Sequence, residues 1–229
     1  GLLLLILAVA GFWAFRRLST PQPVQIMASF RQAPPTAALT ILYPLDQAMF
    51  PPEFPPPRFR WDDPHPRSTG WLVHVDLEGA AAPLDFLTDR PEWVPPEQAW
   101  EQMKKYSADQ PATLTVIGLD RASKTLLSSG RTTFSTSHDP VGAPIFYREV
   151  NLPFLEAVKD PSLIRWRFGP VSSKTQPPVV LENLPVCGNC HSFSTDGKFL
   201  AMDVDYANDK GSYAIVPVER EIALTPDKI

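Results

Sequence analysis

The sequence predicts a mainly β protein that begins with a transmembrane helix and ends in an irregular region with a cysteine motif and a β-hairpin. Proline accounts for 27 of the 229 residues, against an average of about 5%. That density disfavours helical bundles and parallel sheets, because proline interrupts helices and central strands. Short alternating apolar runs between Pro and Gly clusters indicate an antiparallel sandwich. The first 15 residues carry no charge and no proline.

Charge and motif content exclude several function classes. The net charge is -4, from 21 basic and 25 acidic residues, without the basic patch that is typical of nucleic-acid binders. The sequence contains no Gly-rich phosphate loop, no nucleophile elbow and no HExxH motif. The sequence therefore gives no indication of a hydrolase.

Residues 1–17 are predicted to form a transmembrane anchor. The apolar run ends in aromatic residues and then in Arg16 and Arg17, which is typical of a membrane interface. Fifteen residues are fewer than the roughly 20 that a spanning helix needs, so a cleaved leader with its site at residues 8–10 and a buried core helix are alternatives. The two arginines alone would place the body in the cytoplasm, whereas the cysteine motif described below favours the periplasm.

A linker and a β-sandwich domain follow the anchor. Residues 18–38 mix polar, apolar and proline residues and predict a semi-extended tether. Residues 39–150 hold the predicted sandwich, whose layout resembles immunoglobulin or fibronectin type III domains at the level of the fold. One helix is expected, from Pro96 through EQAWEQMKKYS. The predicted strands are Leu39–Tyr43, Arg58–Trp61, Trp71–Leu77, Ala112–Leu119, Lys124–Ser135 and Ile145–Val150.

Residues 151–229 change in character. Asn151–Lys159 predicts a short helix and Leu163–Phe168 a strand. The later run FLAMDVDY, followed by ANDKG and SYAIVPV, predicts a β-hairpin, because Asn, Asp and Gly supply its turn. The acidic residues in this run invite a calcium interpretation, but the spacing is not that of an EF-hand loop.

The motif that says most about function is CxxCH, formed by Cys187, Cys190 and His191. Both cysteines of the chain lie in it. Two thiols at this spacing can form thioethers with the two vinyl groups of a haem, and the adjacent histidine can bind the iron. The motif therefore predicts covalent haem c, with a tight turn at Gly188.

Three other interpretations compete with haem attachment. A thioredoxin-type dithiol would stand at a strand-to-helix turn, but here a turn and a strand follow the motif. Zinc would need a further ligand, and the other histidines are distant in sequence. A simple disulfide between Cys187 and Cys190, or two free thiols, remains open.

The second axial ligand of such an iron is not decided by the sequence. Met202, eleven positions after His191 on a strand-like run, is the metal ligand that we predict first. His138, in a turn-rich loop, is the second candidate, and a vacant site is a further alternative. The unranked candidates are Met49, Met103, His65 and His74. Methionine would raise the reduction potential relative to a second histidine.

A resemblance to known proteins covers about residues 139–216. Ser192–Lys198 with the strand that follows looks like the SFSPDGK blade opening of TolB-like β-propellers. The whole stretch resembles membrane-anchored bacterial proteins that join a sandwich, a CxxCH motif and a propeller. The resemblance implies a periplasmic location and c-type haem, and the sequence holds one propeller-like hairpin after the motif.

We therefore expect a periplasmic mono-haem c-type cytochrome, anchored in the bacterial inner membrane. It would transfer electrons within or to a larger membrane complex, whose subunits would be its partners. The alternative is a non-redox structural subunit that clamps the periplasmic face of a respiratory or photosynthetic complex. In that case the two cysteines form a disulfide or an empty site.

Overall fold

The computed structural model describes residues 22–160, 163–182, 184, 187–206, 209–219 and 221–222. The predicted membrane anchor at residues 1–17 lies outside these ranges. The chain divides into two compact units, Gly1–Pro140 and Val141–Ile229. Among the described residues, no helix has the length and apolar character needed to cross a membrane.

The first unit contains two helices and nine strands within its described residues. In chain order they are α1 (Pro23–Gln32), β1 (Ala37–Ala38), β2 (Thr40–Tyr43), β3 (Ala48–Phe50), β4 (Phe59–Asp62), β5 (Gly70–Asp76), β6 (Leu84–Thr88), β7 (Glu92–Trp93), α2 (Glu97–Tyr106), β8 (Ala112–Asp120) and β9 (Thr125–Thr136). The strands predicted from the sequence before residue 140 are confirmed, with bounds shifted by one or two residues.

Two sheets form the body of the first unit. The larger has the order β1-β9-β8-β5-β6, with β3 also on β9, and the smaller has the order β2-β4-β7. β1 and β3 run parallel to β9, and all other pairs are antiparallel. The alternating pattern places one face of each sheet in a shared apolar core, which includes Phe59, Trp61, Val73, Leu114 and Phe134. The predicted mainly β fold is confirmed, and its two sheets are consistent with a sandwich.

The predicted helix at residues 97–106 is also confirmed. α2 follows Pro96, which occupies the N-cap position, and Ser107 is its C-cap. Trp100 and Met103, one turn apart, are both fully buried. The Trp100 indole N–H donates to the Phe54 carbonyl at 2.7 Å, so the ring is both packed and hydrogen-bonded.

The predicted semi-extended tether at residues 18–38 is wrong over residues 23–32. This segment forms α1, and Ile26 and Met27 are buried against Leu72 and Ile117 of the larger sheet. Pro23, one of the prolines that indicated an extended linker, fits a helix here because it stands at the first helical position, where no N–H is required. α1 therefore covers the outer face of the larger sheet.

The second unit holds one helix and six strands within its described residues. They are β10 (Ile145–Glu149), α3 (Phe154–Lys159), β11 (Arg165–Gly169), β12 (Val179–Leu181), β13 (Cys187–Phe193), β14 (Phe199–Tyr206) and β15 (Asp209–Pro217). They form two three-stranded sheets, β10-β11-β12 and β13-β14-β15. The predicted helix, strand and hairpin of this region are confirmed, while residues 207–208 of the hairpin turn lie outside the described residues.

One apolar core joins the two sheets of the second unit. Trp166 of β11 is fully buried, and Leu200, Met202 and Val204 of β14 are at most 4% exposed. These four side chains belong to one buried cluster. The alternation along β14 therefore gives that strand one core face and one outer face.

Candidate functional site

The CxxCH motif lies in strand β13, which is paired with β14. Cys187 is opposite Asp205, Gly188 opposite Val204 and His191 opposite Met202. Three residue steps on β13 thus match two on β14, so a β-bulge lies between Gly188 and His191. The tight turn predicted at Gly188 is wrong, because the motif is extended.

Gly188 serves close packing rather than a turn. A Cβ at this position would lie 2.7 Å from the Met202 Sδ and 2.8 Å from the Trp166 ring, both well inside van der Waals contact. The Gly188 carbonyl accepts a hydrogen bond from the Arg148 guanidinium at 3.0 Å. Glycine is needed here because β13 approaches the buried core more closely than a side chain allows.

The two neighbouring motif residues Cys190 and His191 face different surroundings. Cys190 is exposed and is not in a disulfide. His191 is half-buried, and its ring meets the Phe146 ring edge-to-face with 4.7 Å between centroids. The His191 Nε2 lies 3.2 Å from the Phe146 carbonyl oxygen, where the imidazole N–H donates. The side chain of Cys187 lies outside the described part of the structure.

The two predicted candidates for the second axial ligand lie in different units. Met202 is 1% exposed in the core of the second unit and is the cross-strand partner of His191. Partners that are directly opposite in an antiparallel pair leave the same face of the sheet. His191 and Met202 thus stand side by side, and this arrangement does not place them on opposite sides of one porphyrin.

His138 belongs to the first unit. Its side chain is 68% exposed, and its Nε2 is 3.0 Å from the Asp109 carboxylate. This is the hydrogen-bonded surface position that a loop histidine next to a carboxylate commonly takes.

An apolar cavity of about 260 Å³ lies in the second unit. The rings of Phe146, Phe168 and Phe193 line it together with Leu200, and Glu219 is the acidic residue of its wall. Phe146 packs edge-to-face on both His191 and Phe193. Phe146 therefore contacts His191 and also forms part of the cavity wall.

A charged network that the sequence analysis missed supports β10 and β11 beside the motif. Glu149 accepts hydrogen bonds from Arg167 and, at 2.5 Å, from Arg165. The Arg167 hydrogen bond, with that of Arg165, lowers the pKa of Glu149 below its ordinary value. The spacing of the two arginines on one strand would have indicated a shared face, but their partner on β10 is set by tertiary pairing.

The residues of the motif fit covalent haem in chemistry but not in arrangement. Thiol and imidazole are the groups that attach and ligate a c-type haem. Cys190, however, is exposed, whereas the His191 ring packs against Phe146, so this arrangement does not bring the two side chains together at one porphyrin. Among the described residues, no three His, Cys, Asp or Glu side chains form a group that could hold a metal ion.

Comparison with known proteins gives no independent assignment. No family model matches the chain, and no curated protein matches it.

Proposed function

We propose that this chain is a membrane-anchored periplasmic protein that carries one covalent haem c and transfers electrons within or to a larger membrane complex. Cys187 and Cys190 would hold the haem, and His191 would be its ligand. The observation that carries the proposal is that both cysteines of the chain fall in one CxxCH pentapeptide. A bound haem would supply one-electron chemistry, while the protein supplies burial and ligation.

Part of the motif is accessible to solvent. Cys190 is exposed, so its thiol is open to reaction. The His191 ring packs on Phe146, which also lines the apolar cavity. A hydrophobic shell around a redox cofactor tunes its reduction potential.

The location and the finer fold are parts of the same proposal. Covalent haem attachment takes place outside the cytoplasm, which favours a body in the periplasm and an anchor at residues 1–17. The strand order β9-β8-β5-β6 beside β2-β4-β7 supports an immunoglobulin- or fibronectin-like sandwich, since those domains divide their strands between two sheets in a similar way. The antiparallel β13-β14-β15 sheet supports a TolB-like blade segment.

The absorption spectrum of the alkaline pyridine haemochrome tests the proposal. The full chain is expressed with a cytochrome c maturation system, purified in mild detergent and compared with Cys187→Ala/Cys190→Ala. We expect a c-type haemochrome from the wild type and none from the double variant. Ser192→Ala is the matched control, since Ser192 is an exposed neighbour on the same strand. A wild-type chain without haem under these conditions would refute the assignment.

A second candidate function is a non-redox structural subunit that clamps the periplasmic face of a respiratory or photosynthetic complex. One observation favours it: the outer face of the β13-β14-β15 sheet exposes Phe199, Tyr213 and Ile215, the last two to about two thirds. Exposed apolar patches of this kind are typical of protein–protein contact. If the double cysteine variant still assembles into a fully active complex in its host, the structural role replaces the redox role.

A further inference from the structure

We propose that the apolar cavity of the second unit binds a small organic cation, namely an ammonium ion whose nitrogen is fully substituted with short alkyl groups. The cavity has a volume of about 260 Å³, just below the roughly 300–1,000 Å³ that is common for small-molecule sites. It therefore has room for a free ligand of a few heavy atoms. This site goes beyond the proposed function, because it does not depend on haem attachment.

Both sheets of the second unit contribute side chains to the cavity. Phe146 of β10 and Phe168 of β11 are cross-strand partners, and so are Phe193 of β13 and Leu200 of β14. Partners directly opposite each other in an antiparallel pair leave the same face of the sheet. Each sheet therefore presents one such pair of side chains to the cavity. Leu200 also belongs to the buried core of this unit, so the cavity adjoins that core and is built largely on strands.

Three aromatic rings give the cavity its affinity for a cation. The centroid of the Phe146 ring lies 5.3 Å from that of Phe193 and 6.4 Å from that of Phe168, at interplanar angles of 87° and 57°. The face of an aromatic ring attracts a cation that lies within about 6 Å of its centroid. Because the rings are steeply inclined to one another, they offer surfaces in different directions, as the aromatic cages that bind alkylated ammonium groups do.

Glu219 determines the sign of the charge that the cavity accepts. Among the described residues of the cavity wall, Glu219 is the one with an ionisable side chain, and the others are apolar. Its side chain is exposed, so the carboxylate can meet a ligand that enters from solvent. A carboxylate beside the site attracts a cation and repels an anion of the same size. The wall therefore favours an organic cation over a fatty acid or another apolar anion.

The lack of polar side chains in the wall selects an alkylated ammonium group over a primary one. A primary ammonium group has three N–H donors, and donors that enter the cavity without partners cost free energy. A fully alkylated nitrogen has no N–H to satisfy. Its alkyl groups would also cover Phe168, Phe193 and Val218, which are each about 40% exposed, and the removal of this apolar surface from water is favourable.

Isothermal titration calorimetry of the full chain tests the proposal, in a maltoside detergent whose head group carries no ammonium. The probes are choline and its neutral isostere 3,3-dimethyl-1-butanol, which has a similar shape without the charge. We expect choline to bind at least about tenfold more tightly, because the rings and Glu219 act on its charge. Equal affinities would mean that the cavity selects only for apolar shape and would overturn the proposal, as would a failure of choline to bind.

Glycerophosphocholine distinguishes a lipid head group from a free cation, because it carries the same ammonium group next to a phosphate. We expect it to bind more weakly than choline, since Glu219 repels the phosphate. Tighter binding than that of choline would overturn the assignment of a free ligand in favour of a lipid head group.

Two variants test the two parts of the site. Glu219→Gln should weaken choline binding at least about fivefold, whereas Glu221→Gln is the matched control, since Glu221 is exposed and removes the same charge two residues away. Phe168→Leu keeps an apolar side chain but removes one ring, and should weaken choline about two- to fivefold. Unchanged choline affinity in Glu219→Gln, or an equal loss in both glutamate variants, would overturn the proposal. The urea midpoint of each variant shows that it is folded.

Discussion

Gly188→Ala is the substitution for which the structure makes the most definite stability prediction. The new Cβ would lie 2.7 Å from the Met202 Sδ and 2.8 Å from the Trp166 ring. The thioether end of methionine can move aside, but Trp166 is a rigid ring without exposed surface. Overpacking of this kind costs about 1–3 kcal/mol, and we expect the haem-free second unit to lose that much stability.

Trp166 itself provides the probe for this measurement. It is the tryptophan of residues 141–229, so the ¹⁹F NMR signal of 5-fluorotryptophan at this position follows the second unit separately from the first. Urea titration of that signal in the haem-free Cys187→Ser/Cys190→Ser background gives the free energy of unfolding. Linear extrapolation to zero urea then compares the variants.

Ser192→Ala is the matched control, because Ser192 lies on the same strand with an exposed side chain. A surface change of this kind should stay within about 0.5 kcal/mol of the parent. If Gly188→Ala is as stable as this control, β13 does not approach the Trp166 core as described. The extended packing of the motif would then be refuted.

Three further predictions concern the core of the first unit, the packing of α1 on its larger sheet, and the stability of the second unit in acid. Trp100→Ala should cost the first unit about 3–5 kcal/mol in urea unfolding, because it empties a fully buried site; a loss below 1 kcal/mol would contradict that burial. Ile26→Ala should cost about 2–5 kcal/mol and speed amide exchange in α1, while Val24→Ala, on the exposed side, should do neither. The hydrogen bond from Arg167 keeps the pKa of Glu149 in the folded chain below its ordinary value of 4.5. The ionised Glu149 therefore stabilises the fold above pH 4.5, and this contribution is lost as the pH falls through the folded-state pKa. Glu149→Gln should flatten this acid limb in a pH series of urea midpoints, and an unchanged slope would contradict the ion pair.

Local pattern was sufficient to predict the strands and the helix at residues 97–106. The apolar runs of β5 and β8 and the spacing of Trp100 and Met103 are local signals, and the strands and the helix that they predicted were confirmed. Burial does not alternate along β5 and β8, because both strands are buried on both faces. α1 was missed because Pro23 and the prolines before and after the helix were interpreted as an extended tether. The positions of Ile26, Met27 and Phe30 carried a weak helical stripe that could have indicated the buried face.

The setting of the motif could not be predicted from the sequence. Gly188 lies in a strand because β14 and Trp166 approach it, and such long-range packing overrides the turn preference of glycine. The bulge before His191 depends on the register with β14, which the pattern of β13 alone does not fix. The parallel pairing of β1 and β3 with β9 is likewise a tertiary feature.

The most direct test of the account is the mass of the denatured full chain after expression with a cytochrome c maturation system. The account predicts a chain heavier by one haem that survives unfolding and organic extraction, and an unmodified mass for Cys187→Ala/Cys190→Ala. A wild-type chain at its unmodified mass, or lighter by two hydrogens through a Cys187–Cys190 disulfide, would contradict the central claim.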